Sequence, residues 1–232
     1  MAALDFGVII RSAGYLFYDG MVFTLFLTFV AGTLGFVLGI LLAVLRLSPH
    51  RMVRWLAATY VNTIRSLPLV LVIFWFFFLV PFATQWVLGS PRPVAVGAVW
   101  SALITFTLFE AAYFCEIIRS GINGIPRGQV EAASALGLRP VQRFLLIVLP
   151  QAVRNMIPVI LTQFIVLFQD TSLVYVVSLT DFLGAAGKIG QRDGRLVEMY
   201  LFSAAVYFVI CYAASFFVRR LGERNRHARA GT

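Results

Sequence analysis

Glu110 stands alone in a long apolar stretch: between Arg92 and Glu116 it is the only charged residue. A charge at bilayer depth is costly and marks a functional position or a tightly held partner. Helical spacing places Phe106, Glu110 and Tyr113 on a similar face. That face reads in two ways. It is a pocket wall whose carboxylate holds an ammonium group and repels carboxylates, or it is a helix contact where hydrogen bonds hold Glu110. Gln163 is the second candidate, because an amide donor binds a carboxylate without adding net charge; it follows Pro158, which removes a helix hydrogen bond. Gln169 lies six residues further on, so one helix face cannot present both amides equally. Gln169 and Thr171, with Asp170 and Ser172, read as a hydrogen-bonded turn at a helix end, and both stay candidates for a polar path. Arg65 suits a carboxylate clamp or a snorkelling side chain, its place near a span end favouring the second. Glu116 and Arg119, three apart, are set to pair.

Other chemistry is missing. His50 and His227 lie in basic loops, Cys115 and Cys211 lie in apolar runs, and no CxxC or His/Cys cluster occurs, so neither a metal site nor a catalytic set is expected. No Gly-x-x-x-x-Gly-Lys-Ser/Thr segment occurs, and Gly187-Lys188 is followed by Ile189, so no phosphate cradle of that kind is expected here.

The elements that carry these residues are membrane spans. Of 232 residues 60% are hydrophobic and 12% charged, and the mean hydropathy is +0.89. An ordinary soluble chain is about one quarter charged, so disorder, a secreted disulfide scaffold and a soluble enzyme fit poorly. A nucleic-acid binder with the same formal charge of +9 would be less apolar. Runs of roughly 20 apolar residues mark spans, here 22–45, 66–83, 93–115, 155–176 and 199–218. The spacing therefore predicts an all-α membrane protein, one domain over 1–232, with five transmembrane helices. Residues 6–18 read as an amphipathic helix along the outer interface. Asp5, Arg11 and Asp19 interrupt the start, which argues against a cleaved signal.

Basic loops orient such a chain. Arg46, Arg51, Arg54 and Arg65 separate spans one and two. Arg119, Arg127, Arg139, Arg143 and Arg154 separate three and four, and Arg219, Arg220, Arg224, Arg226 and Arg229 follow span five. The opposite side holds Arg11, Arg92, Lys188, Arg192 and Arg195. The N-terminus is expected outside and the C-terminus in the cytoplasm. Span one carries Gly35-x-x-x-Gly39, small residues that let helices approach closely.

The loop over 122–150 is too organised for a plain connector. Glu131-Ala132-Ala133 opens a predicted short helix with a small-residue face and strong helix propensity. Gly137 ends or bends it, and 144–149 is apolar up to Pro150. A helix of this kind, held between two spans, suits insertion into a cleft on another protein.

These residues resemble the EAA loop of ATP-binding-cassette importer permeases. Glu131, Ala132, Ala133, Gly137, Ile147, Leu149 and Pro150 occupy its pattern without a gap. Thr24-Leu-x-Leu-Thr, Arg65-Ser-Leu-Pro-Leu and Ala112-Tyr-x-x-Glu116-Ile-Ile-Arg119 resemble the polar-amino-acid branch. Residues 161–176 (LTQFIVLFQDTSLVYV) and 189–199 (IGQRDGRLVEM) are similar to glutamate/aspartate import permeases, with Gln169 where much of the branch has Lys. The similarity runs over roughly 15–222. It implies a type I ABC importer permease of the bacterial inner membrane, a non-hydrolytic subunit whose EAA loop docks into a separate ATPase that binds ATP and Mg. It further implies a second permease subunit, identical or paralogous, and a periplasmic amino-acid-binding protein. Nucleic acid is not among the expected partners, whereas membrane lipid is. Glutamate and aspartate are the implied substrates; another polar amino acid such as glutamine is the alternative, and a gradient-driven secondary transporter a distant one.

Overall fold

A computed structural model describes residues 5–92 and 97–230, without the side chains of 224–230. The first four residues of the expected third span, 93–96, lie outside the described residues, as do the side chains of Arg224, Arg226 and Arg229. We number the helices in chain order. They are α1 (Gly7–Arg46), α2 (Arg51–Arg65), α3 (Leu69–Leu88), α4 (Ala98–Asn123), α5 (Arg127–Ala135), α6 (Pro140–Val177), α7 (Phe182–Asp193) and α8 (Leu196–Ala230). Five of them, α1, α3, α4, α6 and α8, are long and apolar enough to cross a membrane.

The architecture turns on α4. Of its most apolar window 72% is buried, against 11–33% in the other four, so α4 is the axis and the others surround it. Its closest neighbour is α1, and the two run in parallel. A Cβ added to Gly35 would lie 2.8 Å from Glu110 Cβ, and one added to Gly39 would lie 2.6 Å from Phe114 Cβ and 3.1 Å from the Cys115 amide. Glycine is required there because two backbones nearly touch. The Gly35-x-x-x-Gly39 stripe thus packs inside the chain.

Three expectations need correction. Residues 6–18 do not form a separate surface helix: Gly7–Arg46 is one 40-residue helical run with a π-helical segment at Tyr15–Met21. Val8 and Leu16 are buried with Phe182, Ala185 and Met199. Part of the amphipathic face therefore meets α7 and α8. Second, the helix that carries the apolar run expected from 155 already begins at Pro140. Arg143 and Arg154 interrupt the apolar run without ending the helix. Leu149 N–H reaches Phe144 O, five residues back, and this wide turn accommodates Pro150, which has no N–H to give. Third, Arg51–Arg65 is a helix where a connector was expected. Ala57 and Val61 are buried, Val61 in one cluster with Ala112 and Cys115 of α4.

Outside the spans, α7 is fastened to α1. Asp181 caps it, accepting from Leu183 N at 3.0 Å and Gly184 N at 2.9 Å, while Phe182 N donates to Thr24 Oγ1 at 3.0 Å. Burial pushes the Asp181 carboxyl up to about 6, against the pull of those amides. The folded chain then holds this proton more tightly than the unfolded one. The stability it contributes is complete below the ordinary value of 3.8 and is lost as pH rises through about 6.

Two outcomes follow. Gly39→Ala overpacks the α1–α4 seam and costs about 1–3 kcal/mol, read as a drop of several degrees in Tm in detergent; an unchanged Tm would place the seam elsewhere. Asp181→Asn keeps an acceptor for the cap but cannot ionise. It should match wild type below about pH 4 and exceed its Tm by a few degrees at pH 8, whereas parallel pH profiles would mean an exposed Asp181.

Candidate functional site

The chemistry converges on the C-terminal half of α4. Glu116 binds Arg46 Nη1 at 2.7 Å and Arg119 of its own helix, with Arg65 Nη1 at 3.7 Å. One carboxylate thereby ties together the ends of α1, α2 and α4. The expected Glu116–Arg119 pair is present, and Arg46 and Arg65 join it, which one-dimensional spacing could not show. Arg65 also lies over the Tyr113 ring, 5.5 Å from its centroid.

Beside this network is an open cavity of about 520 Å³, lined among others by Arg65, Tyr113, Glu116, Ser120, Asn155 and Met156. Its walls are α4 and α6, with Arg65 reaching in from the end of α2. The size is in the usual range of small-molecule pockets, roughly 300–1,000 Å³. A guanidinium, an aromatic ring and short polar side chains at one rim can hold a small carboxylate-bearing solute.

Glu110 and Gln163 meet, though neither lines this cavity. Glu110 is 0% exposed, and Gln163 Nε2 donates to its two oxygens at 3.1 and 3.3 Å. On α4, Glu110 is one turn from Tyr113. On α6, Gln163 is one turn from Val159, another lining residue. The pair therefore lies just beyond the cavity on the same two helix faces. Of the two readings of Glu110, this is the hydrogen-bonded helix contact, and it borders the cavity as well. Phe106 is buried in the core, and Tyr113 packs partly buried against that same core. Thr171 is buried and its Oγ1 donates to Phe168 O at 2.8 Å; Gln169 is exposed. These two lie at the far end of α6, where the helix tightens to 3₁₀ over Thr171–Val177.

The EAA segment forms a second, separate surface. The short helix begins at Arg127, four residues before Glu131, with Pro126 as its extended N-cap; Pro fixes the entry backbone, so the start is earlier than expected. Ala133 is buried, while Glu131 and Ala132 are exposed. Gly137 has φ +78°, a left-handed conformation suited to glycine that closes the helix, with Leu138 N bonded to Ala133 O at 3.2 Å. Leu136 is 81% exposed beside it. Ile147, Leu149 and Pro150 lie within the first turns of α6.

Known proteins are similar to this chain in sequence and fold. Residues 35–227 match the family of binding-protein-dependent transport system inner membrane components. The chain is similar to the glutamate/aspartate import permease protein GltK of Escherichia coli O6:H1, 51% identical over 97% of this chain and all of that one. It is also similar to the probable glutamine ABC transporter permease protein GlnP of Bacillus subtilis strain 168, 39% identical over 90% of this chain and 93% of that one. A crystal structure of an amino acid ABC transporter with histidines superposes with a TM-score of 0.87 at 28% identity, covering 96% of this chain and 100% of that one.

The Glu110–Gln163 contact is tested by a double-mutant cycle. Gln163→Ala and Glu110→Gln each lower Tm, and the pair together should fall short of additivity by about 1–3 kcal/mol. Additive losses would mean that the two side chains do not share a bond.

Proposed function

The chain belongs to the inner-membrane components of binding-protein-dependent transport systems, and we propose that it is the permease of an importer for glutamate and aspartate. A multi-pass permease of an amino-acid ABC importer follows from the family and from the five apolar helices. The substrate is our own reading. The observation that carries it is Arg65, whose guanidinium lines the cavity and is held by Glu116 only at 3.7 Å. An acidic side chain bonds well to such a group, and the similarity to the glutamate/aspartate import permease points the same way. The 39% identity to a probable glutamine permease makes the neutral amide the competing substrate.

In this reading a periplasmic binding protein delivers the amino acid, and the path runs between two permease subunits. Gln163 exchanges its bond to Glu110 for one to the substrate. Gln169 and Thr171 belong to the outer turn of the path. The basic loops face the cytoplasm, which leaves the N-terminus periplasmic. ATP and Mg are bound by a partner ATPase, and this chain hydrolyses nothing. The α5 segment is its docking helix. Exposed Glu131 and Leu136, with the turn at Gly137, enter a cleft on the ATPase, while Ala132, Ala133, Ile147, Leu149 and Pro150 shape the base from which it projects.

ATPase activity of the complex in lipid, with its binding protein, should rise with L-glutamate and L-aspartate and not with L-glutamine or L-arginine. Stimulation by glutamine alone would keep the permease and discard the acidic substrate. Arg65→Gln should raise the half-maximal glutamate concentration roughly tenfold or more, the loss expected for a hydrogen bond to a charged group, and Gln163→Ala should raise it less. Glu131→Lys and Gly137→Asp should reduce co-purification of the ATPase with membrane insertion intact; full recovery of ATPase with both would remove the docking assignment.

A further inference from the structure

A second cavity, about 440 Å³, opens where α1 ends and α2 begins, and four of its lining residues are Arg46, Arg51, Arg54 and Arg119. Glu116 answers Arg46 and Arg119. Arg54 Nη1 donates only to a neutral group, Ser48 O, at 3.3 Å. Among the described residues no carboxylate lies within ion-pair distance of Arg51 or Arg54. Four guanidinium groups therefore converge on a space served by a single carboxylate, which is already engaged. Such a space attracts an anion with several acceptor oxygens. It also lies at the start of α2, whose first turn has no side-chain cap, so the helix adds its positive end.

The neighbouring surface says where that anion comes from. The α2 helix has three faces. Ala57 and Val61 are buried. Arg51, Arg54 and Ala58 turn toward the cavity. Met52, Trp55 and Leu56, at i, i+3 and i+4, are 71%, 61% and 56% exposed. An apolar stripe beside a cluster of Arg, with a Trp at their border, matches the boundary between acyl chains and headgroups. A basic pocket between helices at that depth suits a lipid phosphate.

We infer that this cavity binds the phosphate of an anionic phospholipid, with an acyl chain along Met52, Trp55 and Leu56. A zwitterionic lipid brings its own cation, for which the cavity lining holds no carboxylate, so the site selects a headgroup without one. The inference goes beyond the transport reading; only its leaflet, the cytoplasmic one, rests on the orientation given there.

The test is native mass spectrometry of the permease–ATPase complex in detergent, titrated with phosphatidylglycerol, phosphatidylcholine or inorganic phosphate. Wild type should retain phosphatidylglycerol over phosphatidylcholine by roughly 25-fold, at about fivefold for each of two Arg near the headgroups. Arg51→Gln/Arg54→Gln should bring that ratio to about one. Ala58→Phe, which fills the cavity and keeps every guanidinium, should do the same if the double variant does not assemble. Equal retention of the two lipids by wild type, or a preserved ratio in both variants, overturns the site. Displacement of phosphatidylglycerol by millimolar phosphate makes it a site for soluble anions and overturns the lipid. Loss of the ATPase from the double variant with lipid preference intact makes it a protein-docking surface. Each of these leaves glutamate stimulation free to stand or fall separately.

Discussion

The approach of α1 to α4 at Gly35 and Gly39 is the constraint on which the other features depend. In a membrane the lipid is as apolar as the side chains, so helices associate through close packing and polar contacts more than through hydrophobic burial. Here the packing is backbone against backbone, with the Gly39 position against Phe114 and Cys115 and the Gly35 position against Glu110. That contact fixes α4 in rotation as well as in depth. Once Glu110 is turned toward α1 and α6, Tyr113, three residues on, turns toward the cavity and Glu116 toward the helix ends. A wider seam would let α4 rotate, and Gln163, Arg65 and Arg46 would lose their common partner helix.

Electrostatics then divides the molecule by depth. At mid-span the single carboxylate, Glu110, is fully buried and answered by a neutral amide, which adds no second charge. Nearer the C-terminal end of α4, Glu116 is answered by Arg46 and Arg119, with Arg65 more distant. This leaves a surplus of guanidinium charge on both sides of Glu116, one part lining the cavity with Tyr113 and the other lining the cavity at the start of α2. One ion-pair network thus supplies two anion-attracting spaces. They differ in their walls: α4 and α6 enclose the first, while exposed Met52, Trp55 and Leu56 border the second.

Much of this was legible in the sequence. The five apolar runs, the close helix approach at Gly35 and Gly39, the helix end at Gly137 and the pairing of Glu116 with Arg119 all follow from local spacing. What was not legible depends on tertiary neighbours. The π turn before Pro150 lets α6 continue through a proline and two arginines, which a count of apolar residues reads as a stop. The α2 helix hides behind Arg51, Arg54 and Arg65, although Ala57, Val61 and Ile64 already show the 3–4 spacing of a buried face. Residues 6–18 are amphipathic as read, but the face assigned to a lipid interface packs in part on α7. The meeting of Glu110 with Gln163 needs the rotation of two helices distant in sequence, so spacing could nominate both residues and not join them.

That meeting also limits how an anion could move outward or inward past α4. Gln163 Nε2 donates to both oxygens of Glu110, so the amide is occupied as long as the pair stands. An acidic solute held at Arg65 is drawn toward that guanidinium and away from Glu110, one helical turn beyond Tyr113. For it to cross this level, α6 must shift against α4 enough for Gln163 to release Glu110 and offer its N–H groups elsewhere. The exchange conserves the number of hydrogen bonds, so its cost is set by leaving the buried Glu110 briefly without its amide. A helix that begins at the α5 surface and runs directly to Gln163 is mechanically suited to impose such a shift.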